Sequence, residues 1–454
     1  MQTMENTSVN TNRKAVWGWV IYDWANSAFA TIVIAGFFPV FFKTFWSVGD
    51  DATLSTVRLG FGNSLASLVV ALSAPVLGAI SDRGQSKKTF LALFSYLGVL
   101  MTAGLFWVPE GDWFFSLFLF AFGVAGFSWA NIFYDALLPS VAGNDTVDYV
   151  SGLGYAMGYL GGGLLFLVNV AMTLYPNVFG LSSASEAVRV SFLMAALWWG
   201  FFTAFTLLWV REPKGVLTQG GSVSGGISQV IVTFKKIRNL KTTFLFLLAY
   251  WLYIDGVDTV IRMAVDYGIS IGLSSTHLIA ALLITQFVGF PSALFFGNLG
   301  ARWSVKGSVF IAIGAYVVIT VWGTLMTSKE EFYILASVVG LFQGGIQALS
   351  RSYYSRLVPQ NLAGEFFGFY NMLGKFAAIF GPALIGGTGL AAQWLLMPDS
   401  PTQEQFSAYS QLASRIGMGS LLILFLGGGV LLYFVDEEQG KKEAANLEKE
   451  MAGF

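Results

Sequence analysis

Two stretches of the sequence decide the fold, because the second is a copy of the first. Residues 133–139 read Phe133-Tyr134-Asp135-Ala136-Leu137-Leu138-Pro139, and residues 353–359 read Tyr353-Tyr354-Ser355-Arg356-Leu357-Val358-Pro359. The interval from Phe133 to Tyr353 is 220 residues, and Gly78, Arg83 and Lys87 return at almost the same interval as Gly297, Arg302 and Lys306. A sequence that repeats at one long interval indicates two homologous halves.

The composition around these copies is that of a membrane protein. The chain has 454 residues, of which 55% are hydrophobic and only 11% are charged, and its mean hydropathy is +0.65. A soluble domain carries roughly 25% charged residues. The apolar residues fall in blocks of about 20, the length of a helix that crosses a bilayer. In such proteins, homologous halves usually enclose a substrate site between them.

Several classes of function are excluded or disfavoured by composition. The formal net charge of -1 gives no indication of a nucleic-acid partner. The chain has no cysteine and a single histidine, His277, so a thiolate or histidine metal centre is not expected. The sequence also lacks the glycine-rich loop that binds nucleotide phosphates. We expect no catalytic residue, no metal and no cofactor.

Twelve candidate spans follow one another along the chain. They lie near residues 15–43, 58–80, 88–108, 113–138, 150–174, 189–210, 243–270, 276–297, 307–327, 331–355, 365–392 and 408–434. Residues 211–241 interrupt this pattern with a glycine- and serine-rich segment followed by a basic one. We therefore predict an N-terminal unit of residues 1–210, a cytoplasmic linker of residues 211–241 and a C-terminal unit of residues 242–454. The first span has no small-residue cleavage site after it, so we interpret it as a retained helix rather than a signal peptide.

The basic residues predict the orientation. If the N-terminus is cytoplasmic, eighteen of the 25 Lys and Arg residues fall on the inner side, and five fall on the outer side: Lys43, Arg58, Arg189, Lys329 and Arg415. Basic residues concentrate on the cytoplasmic side of membrane proteins. Both termini are therefore predicted to be cytoplasmic.

Acidic residues inside the spans are the main candidates for a functional site. Span 1 contains Asp23 and, one turn later, Asn26; span 7 contains Asp255 and Asp258 at the same spacing. Charged groups inside a membrane are costly and usually face a cavity or a partner. The pattern therefore favours a substrate-binding or proton-titrating face over a buried contact between helices.

Other polar residues in the spans leave more than one interpretation open. Lys375, with Asn371 one turn before it, is placed near mid-membrane, where its charge must neutralise a carboxylate of the protein or of a substrate. Arg262 and Asp266 continue the stripe of span 7, as part of the site or as a solvated rim. Further polar groups line a cavity or belong to solvated helix ends: Asn131, Asp135, Gln343, Gln347 and Arg351.

The loop between spans 2 and 3 resembles the signature loop of the major facilitator superfamily. It reads Gly78-Ala79-Ile80-Ser81-Asp82-Arg83-Gly84-Gln85-Ser86-Lys87-Lys88. By this resemblance Gly78, Asp82, Arg83 and Lys87 form a conformational latch. The glycine after Arg83 comes one position early, and the second copy has Ala301 in place of the acid, so we expect a second latch to be weaker or absent.

Three further segments are more specific. Residues 22–29, 345–352 and 369–375 are similar to the vacuole-effluxer-like, or unknown major facilitator, family. The resemblance implies an all-α membrane protein with two pseudo-symmetric six-helix bundles, in which helices 1, 4, 7 and 10 line a cavity. It places Asp23, Asn26, Asp255 and Asp258 on that cavity, Gln347 below them, and Lys375, near Asn371, at the seam between the bundles. Fungal relatives are implicated in amino-acid release from the vacuole, whereas this compact chain is more similar to bacterial members.

These observations predict a secondary transporter that works by alternating access. We expect it to move a small solute, an amino acid or related metabolite, with proton coupling through Asp23 or Asp255, to act as a monomer, and to lie in a bacterial inner membrane rather than a vacuolar membrane. A cation-coupled sugar symporter of the same superfamily is an alternative, and so, with less support, are a membrane-embedded enzyme and a sensor that does not transport. The substrate, the direction of transport and the coupling ion, a proton or another cation, are not decided by the sequence.

Overall fold

The structure of the chain is a computed structural model. The structure describes residues 12–49, 52–84, 86–212, 227–270, 274–326, 328–398 and 402–452, which are mainly helical and contain no β-strand. Twelve helical segments in these ranges are long and apolar enough to cross a membrane. The prediction of twelve spans is therefore confirmed. Numbered in chain order, spans 1 to 12 are Arg13–Trp46, Val57–Gly84, Lys87–Trp107, Trp113–Val141, Val147–Leu174, Ala184–Trp209, Lys241–Ile261, Thr276–Arg302, Val305–Leu325, Lys329–Arg356, Gln360–Leu396 and Gln403–Tyr433.

The helices themselves differ slightly from the spans. The helix of span 2 begins earlier and covers Ala52–Gly84, that of span 7 covers Lys241–Ser270, and that of span 8 covers Ser275–Arg302. Span 11 is the helix Ala363–Leu396 preceded by a 3₁₀ turn. Span 12 consists of the helices Gln403–Gly419 and Leu421–Tyr433.

Polar side chains cap the N-termini of several helices. Asp112 accepts a hydrogen bond from the backbone of Phe115 (3.1 Å) and begins span 4. Ser328 and Glu331 form a reciprocal capping box at the start of span 10. These side chains satisfy backbone N–H groups that have no partner within the first turn of a helix.

Span 1 changes its geometry partway through the membrane. It is an α-helix over Arg13–Ala28, and a π-helix follows over Phe29–Phe37. Asp23 and Asn26 lie in the last turns before this change, and both are buried. π-helical turns are often found next to functional sites, so the irregularity directs attention to these two residues.

The two halves meet closely at one end of the bundle, which carries Arg83, Lys87 and Arg356 and is called the basic end below. Asp82, at the end of span 2, accepts hydrogen bonds from the backbone N–H groups of Gly364 (3.0 Å) and Glu365 (2.7 Å) at the start of span 11. Lys87 forms an ion pair with Asp82 at 3.0 Å. A carboxylate is stabilised at a helix N-terminus by the unpaired N–H groups and the helix dipole.

Gly78 is required for this approach. A Cβ atom at position 78 would lie 2.0 Å from the carbonyl oxygen of Gly364. The predicted latch residues Gly78, Asp82 and Lys87 thus lie at a contact between the halves, and Arg83 is in the last turn of the same helix. In the second copy Lys306 has other partners: it donates to the backbone carbonyls of Tyr433 (2.7 Å) and Val435 (2.8 Å).

A second contact at the basic end joins spans 5 and 10 to the C-terminal helix Glu437–Ala452, called the tail helix below. Arg356 forms ion pairs with Asp148 of span 5 and with Glu437 of the tail helix. Burial raises the pKa of Glu437, but hydrogen bonds from Lys441 and Arg356 outweigh it, so the pKa lies below its ordinary value. The tail helix is therefore attached by charge to Arg356, which also pairs with Asp148 of the N-terminal half.

The segment between the halves contains a helix. Residues Ile227–Asn239 form it, and we call it the linker helix. Its Lys236 forms an ion pair with Glu365 at 2.9 Å, and Thr233 donates to the same carboxylate at 2.6 Å. The basic part of the predicted linker is thus helical, whereas the glycine-rich part at 220–226 lies outside the described residues.

Candidate functional site

A polar cavity of about 360 Å³ lies between the two halves. The predicted lining by spans 1, 4, 7 and 10 is observed, and spans 5, 8 and 11 contribute as well. Its polar lining residues are Asp23, Asn26, Ser27, Thr31, Asn131, Tyr134, Asp135, Tyr155, Tyr159, Tyr250, Asp258, Gln286, Gln343, Gln347, Arg351, Tyr370, Asn371 and Lys375. The volume is at the lower end of the range for small-molecule sites, which limits an occupant to a small solute.

Arg351 of span 10 lies at the centre of a cluster of charged side chains that lines the cavity. One of its terminal nitrogens, Nη2, lies 3.2 Å from Oδ2 of Asp23, and the other, Nη1, lies 3.3 Å from Oδ1 of Asp135. Arg351 also donates from Nε to the hydroxyl of Ser151 (3.0 Å) and from Nη2 to the backbone carbonyl of Ser151 (3.1 Å). All three partners belong to the N-terminal half, so one side chain of the C-terminal half ties the halves together.

Burial makes this cluster energetically important. Arg351 is 3% exposed, Asp135 is 7% exposed and Asp23 is 8% exposed. Buried charges are tolerated when they are paired and hydrogen-bonded, and removing one partner leaves a costly uncompensated charge. Two carboxylates share one guanidinium here, which gives the cluster one negative charge in excess when both acids are ionised.

Aromatic rings enclose the guanidinium. Its central carbon lies 4.3 Å from the ring centre of Tyr155, 4.7 Å from that of Trp19 and 5.3 Å from that of Tyr134. Tyr134 also donates from its hydroxyl to Asp23 at 2.7 Å, and its ring stacks on Trp19 at 4.4 Å. The cation–π contacts and the packed rings fix the position of the charge.

Amide side chains extend this network on both sides. Asn371 of span 11 donates to Oδ2 of Asp135 at 3.1 Å, a second link between the halves. Asn26 donates to Asn131 at 2.7 Å and so joins spans 1 and 4 within the N-terminal half. Asn26 and Asn371 both line the cavity, as the sequence predicts.

Asp255 does not line the cavity. Its Oδ1 accepts a hydrogen bond from the backbone N–H of Gly381 (3.0 Å) in span 11 and one from the Thr259 hydroxyl (3.3 Å). Its side chain is 1% exposed. A step of three residues turns a helical side chain by about 60° from the same face, so Asp258 reaches the cavity while Asp255 packs between spans 7 and 11. The expectation that Asp255 faces the cavity is therefore wrong for this structure.

The remaining predicted residues fall into two groups. Asp258, Gln347 and Lys375 all line the cavity. The side chains of Arg262 and Asp266 lie outside the described residues. The structure thus brings an acid and a base of the C-terminal half into the same cavity as Asp23 and Asn26.

Arg351 is a central residue of the site that the sequence pattern alone does not identify. The sequence leaves it open whether Arg351 and Asp135 line a cavity or end a helix in solvent, and the structure places both in the buried cluster. One signal was available: Gln343, Gln347 and Arg351 are spaced by four residues, which places them on one face of span 10. The pairing with Asp23 was not readable, because the two residues are 328 positions apart in sequence.

An apolar chamber adjoins the charged cavity. It has a volume of about 260 Å³ and shares four lining residues with the cavity: Ala30, Thr31, Gln286 and Gln343. Most of its other walls come from the C-terminal half, including Leu282, Phe332 and Val339. The site therefore has a charged part and an apolar part.

Comparisons with known proteins agree with this architecture. A family model described as vacuole effluxer Atg22 like matches residues 53–388. The MFS-type transporter YxiO of Bacillus subtilis is 38% identical over 422 residues, which cover 92% of this chain and 94% of that protein. Autophagy-related protein 22 of Yarrowia lipolytica is 24% identical over 472 residues, covering 85% of this chain and 76% of that protein.

Solved structures show the same fold at low sequence identity. The proton:xylose symporter XylE superposes with a TM-score of 0.67 at 12% identity, covering 96% of this chain and 98% of that one. The human organic anion transporter MFSD10 superposes with a TM-score of 0.65 at 14% identity, covering 92% of this chain and 99% of that one. Both are major facilitator proteins, so the prediction of two six-helix bundles is confirmed.

Proposed function

The chain belongs to the vacuole effluxer Atg22-like family of major facilitator transporters, and on that premise we propose that it carries a small zwitterion, an amino acid or related metabolite, in exchange with or together with protons. Secondary transport of a small solute is the activity of this class of protein. The cavity between the halves carries the finer proposal, because acidic and basic side chains line the same small volume.

A zwitterion suits the charges of the cavity. Asp258 and Lys375, both on the C-terminal half, offer a partner for an ammonium group and one for a carboxylate. Both charges of an amino acid can thus be compensated in one site, as burial of a charge requires. The apolar chamber next to the cavity accommodates a side chain without further polar groups.

Proton coupling is proposed to act through the cluster around Arg351. Asp23 and Asp135 share one guanidinium from the other half. Protonation of either acid removes one of the charges that hold the halves together, so it weakens this tie and favours rearrangement of the two bundles. We assign the proton to this pair and not to Asp255, because Asp255 packs between spans 7 and 11.

A sugar is the second candidate, on one specific observation. Amide side chains line the cavity, including Gln286, Gln343 and Gln347 of the C-terminal half, together with several tyrosine hydroxyls. Amides and hydroxyls are suitable hydrogen-bonding partners for a neutral polyol. A sugar would use these groups and leave Asp258 and Lys375 to each other or to the protein.

A screen of ligands against the purified protein separates the two candidates. Ligand binding to the folded state raises Tm in proportion to the logarithm of ligand concentration over Kd. We expect stabilisation by one or more amino acids and none by sugars, with the effect lost in Lys375→Gln and retained in Lys329→Gln. Stabilisation by sugars alone would replace the amino-acid proposal by the sugar proposal.

The placement in the cell is also a proposal. The excess of basic residues at the basic end supports a cytoplasmic location for that end and for both termini. The relative from Bacillus subtilis supports a bacterial inner membrane, whereas the family description, vacuole effluxer Atg22 like, supports a vacuolar one. We propose the bacterial membrane, residues 1–210 and 242–454 as the two moving units, and a functional monomer.

A further inference from the structure

We propose that the outer surface between spans 7 and 11 binds an anionic phospholipid, with an acyl chain in an apolar groove and the headgroup on the linker helix. The groove encloses about 620 Å³ and lies outside the transport cavity. Its walls are Phe234, Phe244, Leu247, Leu248, Trp251, Phe369, Met372, Leu373, Phe376, Phe380 and Ala383. All of these residues except Phe234 come from spans 7 and 11.

The groove is long enough to cover one leaflet of the bilayer. From Phe369 to Ala383 a helix rises roughly 21 Å, and half of the hydrocarbon core is roughly 15 Å thick. Phe380 is 44% exposed and Phe234 is 37% exposed. The walls therefore offer an acyl chain a continuous apolar surface that begins near the basic end.

The linker helix closes the groove at that end. The ring of Phe234 lies 5.8 Å from the ring of Phe244 in span 7 and 6.2 Å from that of Phe369 in span 11. Thr233 and Lys236, on the inward side of the helix, bond to Glu365. The helix is thus fixed against the bundle, and its outward side faces away from the protein.

The outward side combines apolar and basic residues. Positions 231, 235 and 238 follow the spacing of one helical face, next to Phe234; Ile231 is 49% exposed, and Lys235 and Arg238 are exposed as well. Lys241, two residues after the helix, is also exposed. Helices that lie in the membrane interface have this arrangement of apolar residues beside Lys and Arg.

Charge complementarity decides the occupant. Within the described part of the chain, Lys235, Arg238 and Lys241 make no ion pair, whereas Lys236 is held by Glu365. Three basic groups next to an apolar groove match a phosphodiester headgroup joined to an acyl chain. Basic residues at a membrane surface attract anionic lipids in the same way.

Native mass spectrometry of the full chain in detergent tests the proposal. The protein is titrated with phosphatidylglycerol and with phosphatidylcholine of identical acyl chains. We expect tighter binding of phosphatidylglycerol by at least about ten-fold, and a loss on the order of 100-fold in Lys235→Gln/Arg238→Gln/Lys241→Gln, because each basic group contributes roughly five-fold. The control is Arg13→Gln/Lys442→Gln/Lys449→Gln, which removes three exposed basic residues elsewhere and should leave binding unchanged.

A second variant tests the groove itself. Ala383→Trp fills the groove and should weaken both lipids equally, whereas Leu390→Trp on an exposed part of the same helix should weaken neither. Equal binding of the two lipids, or an unchanged preference in the triple variant, would overturn the proposal. A dimer whose interface protects the groove from lipid would overturn it as well, by showing a second copy as the occupant.

Discussion

At the scale of single residues, Arg351 is the side chain on which the proposed transport cycle depends. It is buried among aromatic rings and compensates two carboxylates that belong to the other half. A substrate or a proton that alters one of these pairs alters the contact between the halves. Arg351 therefore links the chemistry of the cavity to the arrangement of the bundles.

The first prediction concerns the energy of this pairing. Arg351→Gln leaves Asp23 and Asp135 buried without their cation, and breaking a buried pair typically costs about 3–5 kcal/mol. We expect a clear fall in Tm, measured by a thermal unfolding assay in detergent, together with loss of transport. The control Arg302→Gln removes an exposed basic residue from the same end and should change the free energy of unfolding by no more than about 0.5 kcal/mol.

A double variant checks the cause. Asp135→Asn combined with Arg351→Gln removes one surplus negative charge, so part of the lost stability should return. If the loss of stability in the double variant equalled the sum of the losses in the two single variants, the pairing of Arg351 with Asp135 would not be the source of the effect.

The second prediction separates Asp255 from the cavity. Asp255→Ala removes the acceptor of the Gly381 N–H group, and a buried donor without a partner costs about 1–3 kcal/mol. We therefore expect Asp255→Ala to lower Tm, while Asp255→Asn, which keeps an acceptor oxygen, retains proton-dependent transport. If transport by Asp255→Asn lost its proton dependence while Tm stayed unchanged, Asp255 would have to take part in proton coupling.

At the scale of elements, span 2 and span 11 are in close contact at the basic end, and Gly78 makes this contact possible. The third prediction is that Gly78→Ala opens this end, because the added Cβ would lie 2.0 Å from the oxygen of Gly364. Overpacking of this kind costs about 1–3 kcal/mol in the closed arrangement. At position 314, by contrast, an added Cβ would meet no atom within 4 Å. Gly314→Ala is therefore the matched control for Gly78→Ala.

Spin labels can measure the opening. The chain has no cysteine, so labels at Thr89→Cys and Lys442→Cys report one distance between the halves at the basic end. Gly78→Ala should shift this distance distribution to longer values, and Gly314→Ala should not. An unchanged distribution in Gly78→Ala would show that this contact does not hold the end closed.

The tail helix gives the fourth prediction, which concerns pH. The pKa of Glu437 is lowered by Lys441 and Arg356 against the effect of burial, so its ion pairs stabilise the docked helix above the ordinary pKa of a glutamate. This contribution is lost as the pH falls through the lowered pKa. A spin label at Lys449→Cys should become more mobile at acidic pH, and Glu437→Gln should show that mobility already at neutral pH. If the label stayed immobile in Glu437→Gln, the ion pairs of Glu437 would not be what holds the tail helix in place.

The elements were largely predictable, and their contacts were not. Hydropathy and length gave all twelve spans, because the membrane requires long apolar helices. The 3-residue spacing of Asp23 and Asn26 also indicated one cavity face correctly. The same spacing failed for Asp255, since the neighbour of a helix face depends on how spans 7 and 11 pack, which a local pattern does not contain. Arg351 remained open for a related reason: its partners are distant in sequence.

At the scale of the whole molecule, the structure is an arrangement closed at the basic end around a central cavity. Asp82, Arg356 and Arg351 each join the halves, at the two basic-end contacts and at the cavity. Alternating access requires these contacts to break while the site between the halves is kept. Their polar character suits such a cycle, because ionic contacts can be exchanged for others, whereas a continuous apolar interface would be stable in one arrangement.

The most direct test of the account is amino-acid flux into proteoliposomes that contain the purified protein, with and without a pH gradient. We predict flux that responds to the gradient, that loses this response in Asp23→Asn and Asp135→Asn, and that keeps it in Asp145→Asn, which changes an exposed acid. Amino-acid flux that ignores the pH gradient in the wild type, or flux of sugars in place of amino acids, would contradict the account.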